Sequence, residues 1–143
     1  MGYLLDNIFQ QETILIPEVN ILTMATTGVK IVDVSNNNVK VIISFSIQTI
    51  NSTVDYLGYN NIFISNFSSG SGGGVYAYSD WTTDLLSSNY VADLTVNSFD
   101  YANNKRGCRY KYGSDLFLRF TTNPSAGNGD FLCTMIYKQF TSI

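Results

Sequence analysis

The residue types that carry most enzyme chemistry are missing or scattered in this chain. It has 143 residues and no histidine, so nucleophilic catalysis by serine or cysteine lacks its usual general base. A serine–lysine pair would need a motif around a lysine, and none is present. Paired carboxylates could serve a glycosidase, but most aspartates stand at turns or strand ends, where aspartate commonly caps a turn. We therefore expect a non-enzymatic protein.

The sequence also gives little support to cofactor and metal sites. The glycine-rich stretch Gly70–Gly74 lacks the lysine of a P-loop and the spacing of a dinucleotide-binding loop. Cys108 and Cys133 have no CxxC spacing and too few partner ligands for zinc. The sequence context favours two buried free thiols, and a disulfide between these two cysteines is the alternative. Two pairs of hard oxygen ligands are calcium candidates without EF-hand spacing: Asp80 with Asp84, and Asn128 with Asp130. We expect no cofactor and no metal.

Two clusters of side chains suit binding better than catalysis. Half of the basic residues fall close together among tyrosines: Lys105, Arg106, Arg109 and Lys111. Such a patch can bind nucleic acid, anionic glycans or an acidic protein surface, but a solvated hairpin turn whose charges prevent edge-to-edge strand pairing is favoured. Because the net charge is -3, we expect no nucleic-acid partner. A group of aromatic residues could form a platform on which sugars stack. The alternative is an aromatic cluster in the core or at an interface. The group consists of Tyr76, Tyr78, Trp81 and Tyr90.

The elements that would position these clusters show a hydrophobic period of two. Apolar and polar residues alternate between Val39 and Gln48, where only Ile42 breaks the pattern, and again from Leu116 to Phe120. This period is typical of half-buried strands. Turn residues bound the further candidate strands: Thr13–Ile16, Asn20–Ala25, Val29–Val34, Asn61–Asn66, Val75–Tyr78, Tyr90–Asn97, Cys108–Tyr112 and Gly129–Phe140. The pattern predicts an all-β, jelly-roll-like antiparallel β-sandwich.

The first dozen residues differ from the rest, so we divide the chain into an N-terminal arm, residues 1–12, and a single β-sandwich domain, residues 13–143. The apolar residues of the arm are spaced to lie on one face of a short helix. A terminal strand or turn folded back on the domain is the alternative. Because so short a helix is marginal alone, we expect the arm to dock on another chain through Tyr3, Leu4, Leu5, Ile8 and Phe9.

The last candidate strand carries bulky apolar residues on both faces, unlike a surface strand of a monomeric sandwich. It is therefore either a central strand covered by a loop or part of a subunit interface. Aromatic residues make up 14% of the chain and are enriched in interface cores, which favours a homo-oligomer. The expected interface residues are Phe131, Met135, Ile136, Tyr137 and Phe140.

We expect no membrane partner. The longest apolar run, Val39–Ile50, is too short and too polar for a spanning helix. The first residues lack the basic and small-residue regions of a secretory signal.

Two sets of segments carry a family resemblance. The first is Gln11–Met24, with the sequence QETILIPEVNILTM, followed by the strand Thr27–Val32. The second runs from Asp115–Thr122 through Gly127–Leu132 to the terminal strand. Both resemble the corresponding ends of small virion proteins of tailed bacteriophages. The resemblance implies a β-sandwich or jelly-roll domain, often trimeric, that decorates the capsid or forms part of a head or tail fibre.

The function implied by this resemblance is that of a structural virion protein, made in the host cytoplasm. Its partners would be copies of itself, with a trimer favoured, and other virion proteins. The alternative is a carbohydrate- or receptor-binding β-sandwich module that binds a host surface glycan through Trp81 and its neighbouring tyrosines.

Overall fold

The structure, a computed structural model, describes the backbone of residues 3–5, 9–33, 38–70, 75–78, 91–94, 99–100, 105–106 and 115–142. In chain order its elements are β1 (Tyr3–Leu5), β2 (Gln10–Ile16), α1 (Glu18–Ile21), β3 (Val29–Val32), β4 (Asn38–Ile50), β5 (Ile62–Ser65), β6 (Val75–Tyr78), β7 (Val91–Leu94), β8 (Phe99–Asp100), β9 (Lys105–Arg106), β10 (Leu116–Phe120) and β11 (Asp130–Ser142). The all-β prediction is confirmed. Within these ranges no helix has the length and apolar character needed to cross a membrane.

The strands form two antiparallel sheets. In sheet A the order is β7, β4, β11, and the other edge of β11 pairs with both β2 and β1. In sheet B the order is β3, β10, β5, β6, β8, β9. Strands β2 to β5 belong alternately to sheet A and sheet B. Each segment that connects two of these successive strands therefore crosses from one sheet to the other.

Side chains from both sheets meet in one hydrophobic core, as expected of a β-sandwich. Sheet A contributes buried residues from four of its strands: Ile16, Ile42, Phe45, Ile47, Leu94, Phe131, Cys133, Met135 and Tyr137. Sheet B contributes a second set: Ile31, Val32, Ile62, Ile64, Leu116, Leu118 and Phe120. Burial of these apolar groups is the main force that holds the sheets together.

A bulge in β4 explains the break that Ile42 makes in the sequence alternation. Ser44 lies opposite Ile136 and Ile42 lies opposite Tyr137, so Ile43 is an extra residue on the β4 side of the pair. A β-bulge shifts the side-chain alternation by one residue. Ile42 therefore returns to the core face, and Ile43 is exposed on the other side.

The predicted strand Asn20–Ala25 is wrong, because this segment begins in α1 and continues as turns. The carbonyl oxygen of Pro17 accepts hydrogen bonds from the amides of Asn20 and Ile21 at 2.9 and 3.2 Å. Pro17 precedes the helix in an extended conformation, so its missing amide hydrogen removes no hydrogen bond from the helix. Ile21 and Met24, three residues apart, are both fully buried.

The N-terminal residues form a strand where a helical face was predicted. Tyr3–Leu5 pairs with Phe140–Ser142 of the same chain, which is the alternative that the sequence left open. Because β2 begins at Gln10, the predicted boundary between residues 12 and 13 falls inside a strand. A segment this short is more stable when it hydrogen-bonds to the edge of a sheet than when it forms an isolated single-turn helix.

Candidate interaction surface

The side of sheet A that faces away from the core is formed by alternate residues of three strands. On β11 the buried residues Phe131, Cys133 and Met135 point inward, so the residues between them point outward. The strand register places their neighbours on β2 and β4 on the same side. With the bulged Ile43, this outer face of sheet A comprises Gln11, Thr13, Leu15, Ile43, Ser44, Ser46, Gln48, Leu132, Thr134 and Ile136.

The outer face of sheet A contains no charged side chain among these residues. Leu15 is 57% exposed and Ile43 is 43% exposed. Charged residues lie at the margins of this set, and Asp130 at the start of β11 alternates with the buried Phe131. Asp93 of β7 stands opposite Ser46 in the register, and the Lys138 Nζ lies 4.9 Å from the centre of the Phe9 ring. The middle of this face thus combines exposed aliphatic groups with uncharged polar ones, a composition found in contact surfaces between proteins.

The predicted interface residues divide between the two sides of β11. Phe131 and Met135 are fully buried and Tyr137 is nearly so, because all three point into the core that sheet B covers. Their assignment to an oligomer interface is therefore wrong, and β11 is an inner strand of sheet A with one face packed on sheet B, where the sequence offered cover by a loop. Ile136 lies on the outer face of sheet A. Phe140 pairs with Val39 and Leu5 through the backbone, and its side chain lies outside the described residues.

The predicted docking arm is only partly described. Tyr3, Leu4 and Leu5 form β1 at the edge of β11, and Ile8 lies outside the described residues. Phe9 is 57% exposed, beside Lys138. The structure thus places one end of the arm on this chain's own sheet and leaves the Phe9 ring accessible.

The aromatic and basic clusters lie mainly outside the described residues. Tyr76 and Tyr78 belong to β6, whose backbone alone is described, while Trp81 and Tyr90 fall outside the described ranges. Lys105 and Arg106 form β9, which pairs with β8 at one end of the sheet B order. Charged residues on an outermost strand oppose pairing with another chain. Arg109 and Lys111 lie outside the described ranges.

A buried arginine, which the sequence did not single out, lies on β10. Arg119 is only 5% exposed. Its Nη1 donates to the carbonyl oxygen of Gly70 at 2.9 Å, and its Nη2 donates to that of Ala25 at 3.1 Å. The guanidinium also lies 5.4 Å from the centre of the Phe63 ring. Its Nε has no hydrogen-bond partner, and burial lowers the pKa of the group.

Two loops that cover the outer side of sheet B account for this burial. The amide of Gly28 donates to the carbonyl of Ser68 at 2.7 Å, which joins the turn before β3 to the loop after β5. Gly28 also lies against the aliphatic part of Arg119 so closely that a Cβ there would clash with it. Alternation along β10 correctly placed Arg119 away from the core, but no local signal shows that distant loops cover it.

At one end of the sandwich, the loop after β4 is held against the loop before β11. The Asn128 Oδ1 accepts hydrogen bonds from the amides of Thr53 and Val54 at 2.8 and 2.9 Å. The Asp130 Oδ1 accepts one from the amide of Glu18 at 3.0 Å. Both oxygens proposed as calcium ligands at this end therefore bind backbone amides. In the described ranges, cysteine, aspartate and glutamate form no group of three or more that could hold a metal ion.

Two buried titratable groups, Tyr56 and Cys133, lie in the hydrophobic core. The Tyr56 hydroxyl donates to the carbonyl oxygen of Gly129 at 2.6 Å. Burial, with a smaller contribution from the charges of Glu18 and Asp130, raises the pKa of Tyr56 well above its usual value. Cys133 is a buried free thiol, as the sequence favoured, and burial raises its pKa to about 12. The thiol is therefore protonated at neutral pH and is a poor nucleophile.

The chain matches no protein-family model, no curated protein and no solved structure. Hydroxyl, amide and aliphatic groups on a continuous sheet are suited to packing against another protein surface.

Proposed function

We propose that this chain is a non-enzymatic structural protein of a tailed-phage virion, which acts by binding copies of itself and other proteins of the particle. The observation that carries the assembly role is the middle of the outer face of sheet A, where the residues are uncharged and Leu15 and Ile43 are exposed. The assignment to a virion rests on the resemblance of both chain ends to small virion proteins.

We also propose that the sandwich is a jelly roll. If β1, β8 and β9 are treated as additions, eight strands remain and can be numbered one to eight along the chain. Sheet A then has the order 1, 8, 3, 6, and sheet B begins with the order 2, 7, 4, 5. This arrangement is the one expected for the two sheets of an eight-stranded jelly roll. Jelly rolls occur in viral capsid proteins and in lectins, so the fold favours a binding or assembly role without choosing between them.

The length of the sheet A strands supports assembly over small-ligand binding. β4 and β11 each have 13 residues, so together they form a long surface with one bulge at Ile43. Small-molecule sites are usually concave, whereas protein partners use broader surfaces. Attachment to the particle is assigned to the N-terminal residues, where Phe9 is exposed.

The test is the solution mass of the purified chain by light scattering at two concentrations. We expect an oligomer, and the resemblance favours a trimer of three times 15.9 kDa. A monomer at both concentrations would overturn the assembly role. The carbohydrate-binding alternative would then be tested on a glycan array, with Trp81→Ala expected to abolish binding without unfolding the protein.

A further inference from the structure

We infer that Asn128 is a self-modification site, where the backbone nitrogen of Gly129 attacks the side-chain amide carbon of Asn128. The bond between this carbon and the side-chain nitrogen (Nδ2) breaks, ammonia leaves, and a cyclic imide remains. Water then opens the imide and leaves aspartate or isoaspartate. Each chain reacts once and no substrate is turned over, so the reaction goes beyond the proposed assembly role and does not depend on it.

The dipeptide Asn128–Gly129 supplies both reacting groups. Asparagine is among the thermolabile residues, and Asn128 is the only asparagine of the chain that a glycine follows. Packing requires this glycine, because its φ is +90° and a Cβ on it would lie 2.5 Å from the carbonyl oxygen of Ile50. The missing Cβ also leaves the Gly129 nitrogen open to close approach by the Asn128 side chain.

Two backbone amides are placed to stabilise the negative charge that develops during the attack. The amides of Thr53 and Val54 donate to the Asn128 Oδ1 at 2.8 and 2.9 Å. As the Gly129 nitrogen adds to the amide carbon, this oxygen becomes an oxyanion. Backbone amides that already point at such an oxygen form an oxyanion hole of the kind that favours acyl transfer.

A carboxylate and a hydroxyl are placed to move the protons. The Gly129 amide donates to the Glu18 Oε2 at 3.4 Å, so Glu18 can take this proton as the nitrogen attacks. The Asn128 Nδ2 donates to the Thr53 Oγ1 at 2.9 Å. Once the amide carbon is tetrahedral, Nδ2 has a free lone pair, and the threonine hydroxyl can donate its proton to make ammonia the leaving group. The proton held by Glu18 then restores the hydroxyl through solvent, so none is gained or lost.

Asn123 provides a comparison within the same chain. Its Oδ1 accepts a hydrogen bond from the Ala25 amide, and its Nδ2 donates to the Thr26 Oγ1, both at 2.8 Å. The side-chain amide is therefore held by an amide and a threonine hydroxyl, as it is in Asn128. The next residue, Pro124, has no N–H, so no backbone amide can attack and lose a proton. We expect Asn123 to persist where Asn128 reacts.

The experiment is peptide mapping by mass spectrometry of the full chain, incubated either folded or in urea at the same pH and temperature. It measures the fraction of chains in which Asn128 has become imide, aspartate or isoaspartate. We expect conversion to be about tenfold faster or more in the folded protein, because only the fold assembles the oxyanion donors and the carboxylate. Folded protein in which Asn128 persists, or reacts no faster than in urea, would overturn the inference.

Two matched variants test the proton transfer. Glu18→Gln removes the carboxylate that receives the Gly129 proton, and Glu12→Gln is the control, because Glu12 pairs with Lys40 on the neighbouring strand. We expect the rate at Asn128 in the folded protein to fall about tenfold in the first variant and to stay unchanged in the second. If circular dichroism shows that Glu18→Gln does not fold, Thr53→Val replaces it, since valine removes the hydroxyl and keeps the backbone amide. A folded variant at either position that reacts as fast as the native chain would contradict the inference.

Discussion

At the scale of single residues, Arg119 is the most unusual feature of the described chain. It occupies a position that strand alternation assigns to the solvent side, yet it is almost fully buried. Its two hydrogen bonds reach carbonyl groups that lie 49 and 94 residues away along the chain. One planar guanidinium thus joins two loops that are distant in sequence.

The first prediction concerns this geometry. Arg119→Lys should lower the free energy of unfolding by about 1–3 kcal/mol, because one ammonium group cannot match the fork of donors that bridges the carbonyls of Ala25 and Gly70. Urea denaturation of both proteins at the same pH measures the difference. An Arg119→Lys variant as stable as the native protein would show that the two hydrogen bonds contribute little.

The second prediction follows from the buried thiol. The pKa of Cys133 is about 12 in the folded chain against 9.0 for a free thiol, so above about pH 9 the unfolded chain binds fewer protons than the folded one. Stability should therefore fall as pH rises from about 9, by up to roughly 1.4 kcal/mol per pH unit for this group. Burial of Tyr56 acts in the same direction.

The measurement is a series of urea denaturation curves between pH 8 and 10, for the native chain and for Cys133→Val. Valine keeps an apolar side chain of similar size in the core and removes the titration. We expect the variant to lose less stability over this range. Equal losses in both proteins would show that Cys133 does not titrate as its burial requires.

At the scale of elements, the loop before β11 depends on a glycine conformation. Gly127 has φ +132°, a value that side-chain-bearing residues rarely adopt. A Cβ at this position would also overlap the ring and backbone of Tyr56. This close approach lets Leu57 and Ala126 form a β-bridge between the two loops.

The third prediction compares two glycines. Gly127→Ala should cost about 3 kcal/mol or more, because it adds a clash to the backbone strain. Gly70→Ala should cost only about 1–2 kcal/mol, because Gly70 also has positive φ but a Cβ there would meet nothing within 4 Å. Thermal melting of the two variants gives the ranking. The reverse order would contradict the packing of Tyr56 against this loop.

At the scale of the whole molecule, the two ends of the chain are joined in sheet A. β1 and β2 both pair with β11, the last strand. Residues 10–12 pair with residues 135–137, so they belong to the sandwich instead of to a separate arm. The first and last strands must therefore meet before sheet A is complete, which requires contacts between residues far apart in sequence.

The fourth prediction uses two truncations. A chain that starts at Thr13 loses three residues of β2 and should be markedly less stable than one that starts at Phe9, which keeps β2 whole. The lost residues remove backbone hydrogen bonds and side-chain packing from an edge of sheet A. Circular dichroism and urea denaturation of the two proteins test this. Equal stability would support the division after residue 12 that the sequence suggested.

Much of the fold was predictable because strand alternation is a local signal. The period-two patterns around Phe45 and Leu118 predicted β4 and β10 correctly, since each residue's side follows from that of its neighbour. Asn20–Ala25 was not predictable in this way. Its apolar residues fit a strand or a helical turn equally well, and the hydrogen bonds to Pro17 decide between them.

The candidate surface was predicted less well than the fold. The sequence identified β11 as a strand with two apolar faces, but it assigned Phe131, Met135 and Tyr137 to an interface when they lie in the core. One face of a central strand packs on the opposite sheet, and a sequence does not show which face that is. The pairing of β11 with β2 and β4 separates the two faces and leaves Ile136 outside.

The sequence by itself determined the all-β class, most strand positions and the lack of histidine chemistry, because composition and local periodicity are properties of the chain alone. Only the tertiary structure decided which face of sheet A stays accessible, that Arg119 is buried and that the N-terminal residues pair with the last strand. These outcomes depend on contacts between segments far apart in sequence. Burial and register are properties of the packed chain, and no local pattern encodes them.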